Sequence, residues 1–272
     1  MTPKVLGILN VTPDSFSDGG RWFDVERAQK HAVEMVRQGA DAIDIGGEST
    51  RPGSVEVSLE EELSRVVPVL EAIRGTIDVP ISIDTRRAEV ARTAALLGAS
   101  IVNDTSALRD DPQLADVVAS EQMKVILMHR RGLPQTMQQD PGYTHVVEEI
   151  REFLSQRIEV SVAAGILPEN IIVDPGLGFG KRLIDNYEIG RGLEALHSLG
   201  VPLLIGASRK SFTGAFDDSS PENRLPASLA FVSRARAVGV EWVRVHDVAE
   251  TVTFLSALAA IENPVLVEGG MS

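Results

Sequence analysis

The side chains best suited to chemistry stand where short apolar runs give way to polar loops: Asn10, Glu48 to Arg51, Asp84, Asn103, His129, Asp174, Ser208 to Lys210, Arg244 and His246. One set, Asp84, Asn103 and Asp174, is short and rich in acceptors. It suits a flat heterocycle with an amino group and an adjacent ring N–H, because carboxylates accept paired donors and an amide both gives and takes. A second set, Thr50, Arg51, Arg244 and His246 with Lys210 nearby, is cationic or hydroxyl-bearing. It suits a phosphate-type anion, which a guanidinium grips in bidentate fashion. A lone Asp in such a place is more often a turn former or helix cap. Three converging acceptors, and an Arg244 set between Val243 and Val245, point instead to a ligand.

The chain has no cysteine, so a thiolate ligand or nucleophile is impossible. No His-x-His closes the first apolar run and no His-Glu-x-x-His occurs, which argues against a zinc hydrolase. There is no Gly-x-Ser-x-Gly elbow either. Asn10 and loop oxygens beside a phosphate pocket favour Mg²⁺, which prefers oxygen and substrate phosphates. Chemistry then rests on positioning and charge.

Such residues need a frame that brings run ends to one face. The spacing predicts strands over 5–9, 42–45, 81–83, 101–102, 125–128, 171–173, 203–205 and 242–245. Helical periodicity lies between them. Val25, Ala28, Ala32, Val33 and Val36 mark one helix ending near Gly39, and another opens at a Ser58/Glu61 capping box and should kink at Pro68. Asp185 with Glu188, and Asp247 with Glu250, read as further caps. About eight strand–helix units in a length near ~250 residues predict an α/β fold, a single-domain (β/α)8 TIM barrel over 1–272 with a frayed tail over 263–272. A doubly wound open sheet is the alternative. It would have fewer strands and a phosphate-binding glycine turn after the first one, whereas Gly176, Gly178 and Gly180 come late.

Composition limits the partners. Hydrophobic residues make up 43% and aromatics 4%, so the core must be mostly Val, Ile, Leu and Ala. A net charge of -13 disfavours nucleic acid and anionic membrane surfaces. No apolar run approaches the ~18 residues needed to cross a bilayer, and the start does not read as a signal peptide. A soluble cytoplasmic protein acting on small molecules is the expectation.

The stretches Gly7 to Gly20, Gly46 to Gly53, Asp174 to Lys181, Ser208 to Lys210 and Arg244 to Asp247 closely resemble, in order, the motifs of the bacterial dihydropteroate synthase family. The resemblance runs from about Val5 to the final helix. It implies a transferase that joins 7,8-dihydropterin-6-ylmethyl diphosphate to 4-aminobenzoate, giving 7,8-dihydropteroate and diphosphate. It also implies roles. Asp84, Asn103, Asp174 and Lys210 would hold the pterin, with Met128 beneath the ring and Arg244 stacked over it. Asn10 would bind Mg²⁺, and Thr50, Arg51, Arg244 and His246 would meet the diphosphate. Thr50, Pro52, Phe179, Lys210 and Ser211 would surround the aminobenzoate, and the last helices would pair two copies in a homodimer. Among these, Asp84, Asp174, Lys210 and Arg244 are the expected catalytic groups. Thr105 to Leu108, and Arg130 with Arg131, depart from the usual pattern and leave sulfonamide sensitivity open. A corrinoid-type pterin methyltransferase would need no diphosphate grip, and a non-catalytic pterin binder would be expected to carry a damaged loop motif.

Overall fold

The computed structural model describes residues 2–12, 20–49, 56–132, 136–137 and 141–265. Eight parallel strands are β1 (Lys4–Asn10), β2 (Ala42–Gly46), β3 (Ile81–Asp84), β4 (Ala99–Asp104), β5 (Lys124–Met128), β6 (Ile171–Asp174), β7 (Leu204–Ile205) and β8 (Trp242–Val245). They neighbour one another in the order β6-β5-β4-β3-β2-β1-β8-β7. The two ends of that row also meet, because Val173 bridges Leu203 and donates its N–H to the Pro202 carbonyl at 2.9 Å. The sheet therefore closes into a barrel, and the open doubly wound alternative falls. The helices are α1 (Gly20–Arg37), α2 (Leu59–Ile73), α3 (Ala88–Leu96), α4 (Leu114–Ser120), α5 (Val146–Ala163), α6 (Leu183–Arg191), α7 (Leu193–Leu196), α8 (Leu225–Ala237) and α9 (Val248–Glu262).

Strand parity explains where the polar groups go. Successive strand side chains point to opposite faces. Leu6, Ala42, Ile101, Ile126, Ile172, Leu204 and Trp242 cluster as an apolar plug inside the barrel. Their neighbours, among them Val5, Ile43, Val102, Val125, Leu127, Val173 and Val243, pack in a second cluster with the helices. Burying each such aliphatic side chain is worth about 1.5–3 kcal/mol, so the parity of every strand is firmly set. One step of two residues up from the plug, the inward places belong to Ile8, Asp44, Asn103, Met128, Asp174, Gly206 and Arg244. The interior thus changes from apolar to polar within a single layer.

Several local expectations change. Ser58 does cap α2, accepting the Glu61 N–H at 3.2 Å, and α2 continues through Pro68 to Ile73. α6 opens earlier than the expected box, at Leu183, and Asp185 accepts the Arg182 N–H at 2.8 Å from inside the first turn. Asp247 precedes α9 without a side-chain cap bond, because its carboxylate is drawn to Arg209 Nε at 3.1 Å. Val33 is 38% exposed, and the fully buried Met35 takes the core place on α1. β7 begins at Leu204, one residue late, and Leu203 bridges Val173 while its carbonyl accepts the Trp242 N–H at 3.1 Å. No helix among the described residues is long and apolar enough to cross a membrane.

Candidate active site

Asp44, on β2, is fully buried. Its Oδ2 accepts from Arg244 Nε at 2.6 Å and from Asn103 Nδ2 at 2.8 Å. Arg244 Nη2 donates in turn to Asp84 Oδ2 at 2.9 Å. One guanidinium from β8 therefore clasps carboxylates from β2 and β3, and the acceptor and cation sets that look separate in sequence interlock at Arg244. Its partners are buried carboxylates, not surface glutamates. Burial pushes the Asp84 carboxyl up to about 7 against the pull of Arg244, and Asp44, Glu62 and Asp104 push the same way as burial. Burial also raises the Asp174 carboxyl, opposed by Lys210, by the Gly176 N–H at 2.7 Å, and by Lys181 and Arg244.

Lys210 reaches this layer from the turn after β7. Arg209 takes the left-handed conformation there, with φ 58°. That conformation is uncommon for a residue with a Cβ, and it is held by bonds to Asp247, Ser228 and Arg224. Arg209 Nε meets Asp247 at 3.1 Å, its N–H meets Ser228 Oγ at 3.2 Å, and its carbonyl accepts Arg224 Nη1 at 3.1 Å. Lys210 Nζ then donates to the Leu177 carbonyl at 2.6 Å and lies 4.5 Å from the centroid of the Phe179 ring. Burial lowers its pKa to about 8, with Asp174 and Asp84 opposing and Arg244 assisting.

At the mouth, Asn10 ends β1 and is half-buried. Its Oδ1 and Asp84 Oδ2 each lie 3.7 Å from where a Cβ on Gly46 would sit, so amide and carboxylate flank one spot. His246 follows β8. Ser208 Oγ accepts its backbone N–H at 3.1 Å and lies 3.0 Å from its Nδ1. Met128 is buried in register with Asp174, and Ser211 is exposed beside Lys210. Thr50, Arg51 and Pro52 lie outside the described residues, as does the 13–19 part of the first loop. Two strand-end residues serve the frame: His129 packs edge-on against Phe153 at 4.8 Å, and Glu48 binds Arg86 at 3.0 Å.

A family model described as pterin binding enzyme matches residues 6–246. The chain belongs to the pterin-binding enzyme family. Within it, the chain is 49% identical to the dihydropteroate synthase of Synechocystis sp., over 90% of this chain and 85% of that one. The structure of Xanthomonas albilineans dihydropteroate synthase with 4-aminobenzoic acid superposes with a TM-score of 0.90 at 44% identity, covering 96% of this chain and 94% of that one. The enzyme from the same organism in complex with 7,8-dihydropteroate gives 0.86 at 41% identity, over the same 96% and 94%. This pterin-binding enzyme is of the dihydropteroate synthase type, a transferase of folate biosynthesis.

Two features of this pterin-binding enzyme bear on what sequence can reveal. Asp44 escapes a search of strand ends because it lies inside the run Ala42-Ile-Asp-Ile45. The usable signal is a lone carboxylate at an inward parity position, which must find a cation or a donor in the barrel. The metal is the other feature. No group of three or more His, Asp or Glu side chains gathers as a cage among the described residues. Mg²⁺ is commonly bound through one or two carboxylates plus substrate phosphates, and the oxygens that flank Gly46, Asn10 Oδ1 and Asp84 Oδ2, are of the hard kind it takes.

Proposed function

We propose that this chain condenses 7,8-dihydropterin-6-ylmethyl diphosphate with 4-aminobenzoate, releasing diphosphate and forming 7,8-dihydropteroate. The observation that carries this reading is the buried Asp44–Arg244–Asp84 clasp, flanked by Asn103 and Asp174, which offers ring donors a set of acceptors deep in the barrel. Relatives of the same fold with 4-aminobenzoic acid and with 7,8-dihydropteroate bound support it. In this reading Asp84, Asn103, Asp174 and Lys210 hold the pterin above Met128, with Arg244 against its face. Asn10, Thr50, Arg51, Arg244 and His246 receive the diphosphate. Thr50, Pro52, Phe179, Lys210 and Ser211 surround the aminobenzoate. Mg²⁺ held by Asn10 would neutralise charge on the diphosphate.

The site then acts through charge placed on both sides of one bond. The methylene C–O bond breaks early and its electron pair leaves with diphosphate, which Arg51, Arg244 and His246 stabilise. Positive charge on the pterin methylene is met by Asp84 and Asp174. The aniline nitrogen gives its lone pair to that carbon and releases a proton to solvent. The 12–20 and 46–53 stretches, expected from the sequence to keep water from the cation, lie in large part outside the described residues.

Two measurements test this. Diphosphate release should require both substrates and match dihydropteroate formed, and an enzyme that makes no dihydropteroate sinks the reading. Labelled bridging oxygen should scramble into non-bridging positions when the amine is replaced by an unreactive analogue; retention of the label counts against the dissociative step. A cytoplasmic homodimer through the last helices is part of the same proposal. It is supported by the α9 residue Ile261, which stands 75% exposed, and a monomer in sedimentation at micromolar concentration would end it.

A further inference from the structure

One buried cation has no part in the chemistry above. Lys181 is 3% exposed and closes the turn between β6 and α6. Its Nζ donates to the Phe179 carbonyl at 3.0 Å and to the His129 carbonyl at 3.3 Å, and lies 3.0 Å from His129 Nδ1. Lysine is rarely this buried without a carboxylate, yet no ion pair among the described residues includes it. Carbonyl oxygens and an imidazole nitrogen take its donors. Burial drives its pKa well below the usual range, with Asp174 pulling the other way. Burial likewise keeps His129 in its neutral form, able to accept at Nδ1.

The turn that Lys181 closes lies directly on the chain leaving β5. Gly176 and Gly180 have φ of 67° and 63°, and a Cβ on them would come within 2.0 Å of the His129 carbonyl oxygen and 2.3 Å of that of Arg131. Other bonds fix its remaining residues: Phe179 N–H to the Gly176 carbonyl at 3.1 Å, Gly178 N–H to Asn186 Oδ1 at 2.6 Å, and Tyr143 Oη to the Gly180 carbonyl at 2.8 Å. Lys181 supplies the bond that joins Phe179 itself to His129, the residue that follows β5.

We infer that Lys181 is a positioning residue for the second substrate: by tying the Phe179 carbonyl to His129, it fixes the aromatic wall of the aminobenzoate pocket beneath Lys210. The inference rests on the placement of Phe179 at the aminobenzoate proposed above. Methionine at this position keeps the apolar stem and removes all the donors, whereas glutamine keeps two.

The test is steady-state kinetics of the full chain with each substrate varied in turn, for K181M, K181Q, F179A and the double variant K181M/F179A. K181M should raise KM for aminobenzoate about tenfold, with kcat and KM for the pterin diphosphate within about twofold of the parent. K181Q should recover most of that rise. In the F179A background K181M should add nothing, because both changes remove one interaction. A lowered Tm with both KM values unchanged, equal rises in both, or an additive effect on F179A overturns the inference. An F179A enzyme with unchanged KM for aminobenzoate overturns the placement of Phe179 and the inference with it. A raised KM in F179A beside an unchanged one in K181M overturns the inference alone. Should K181M not fold, H129F removes the imidazole partner and takes its place, with the same selective rise expected and the same results counting against it.

Discussion

Asp44→Asn keeps the shape of the buried side chain and removes its charge. Arg244 Nε at 2.6 Å and Asn103 Nδ2 at 2.8 Å share one oxygen of Asp44, and an amide has only one oxygen to offer them. Arg244 is then left with a single carboxylate, Asp84 at 2.9 Å. Breaking a buried pair by removing one partner costs about 3–5 kcal/mol. The amide still accepts, which returns roughly 1 kcal/mol of hydrogen bonding. The expected loss is therefore about 2–4 kcal/mol, or roughly 5–15 °C in Tm for a chain of this size. Urea unfolding should show a lower midpoint at unchanged slope. The double variant D44N/R244M removes the stranded guanidinium as well, so its loss should fall short of the sum of the single losses by about 1–3 kcal/mol. A D44N protein within about 0.5 kcal/mol of the parent, or additivity within the same margin, refutes the clasp as a coupled unit.

In the proposed roles, Asp84, pushed up to about 7 by burial, must be ionised to accept ring donors, and Lys210, lowered to about 8 by burial, must be protonated to donate. The kcat/KM for the pterin diphosphate should rise through pH 7 and fall beyond pH 8, and K210R should carry the falling limb upward; a limb that stays in place removes Lys210 from it. The raised Asp84 pKa also means that the folded form holds a proton which the unfolded chain loses near pH 4. Its stabilising contribution is thus full below about pH 4 and is lost as pH rises to 7, and the unfolding free energy of D84N relative to parent should rise between about pH 4 and 7 and level off above. Asp174→Ala should weaken pterin binding by roughly 2–4 kcal/mol in calorimetry, and normal affinity would take Asp174 out of the pocket. Gly176→Ala places a Cβ 2.0 Å from the His129 carbonyl oxygen at a positive φ, so it should cost more than about 2 kcal/mol; an unchanged Tm contradicts that packing.

The barrel is legible in the sequence because each buried strand is a short apolar run whose end is marked by a polar residue, as in Ile171 to Asp174. Local signals fail where tertiary contacts decide. Asp247 has the composition of a cap, but the distant Arg209 takes its carboxylate, and nothing local announces that. Asp185 lies in a pattern that reads equally as the cap or as the third helical residue, and Arg182 settles it as the latter. Leu203 is as apolar as Leu204 and Ile205, so the short pairing of β7 depends on the register of its neighbours. Asp44 and Arg244 show the limit most clearly. Their types can be read, but their contact joins opposite ends of the chain and follows only once the sheet is closed.

That contact also decides how the site can be probed. A chain with net charge -13 that accepts a diphosphate ester must keep its carboxylates from repelling the anion while leaving them able to meet a developing cation. Placing Asp44 and Asp84 deep, under Arg244, serves both needs in the proposed function, where the guanidinium that screens the carboxylates is also assigned to the anion side. Under those proposed assignments, substitution of Arg244 should disturb the pterin pocket, the diphosphate grip and the fold together. His246 separates them. It lies at the mouth, and Ser208 Oγ holds its backbone N–H at 3.1 Å whatever the side chain. His246→Asn should raise KM for the pterin diphosphate about tenfold with Tm unchanged, the cost of one charged or neutral donor to the anion. If Tm falls while that KM holds, His246 serves the fold, and the anion side of the site must be sought in Arg51 and Asn10.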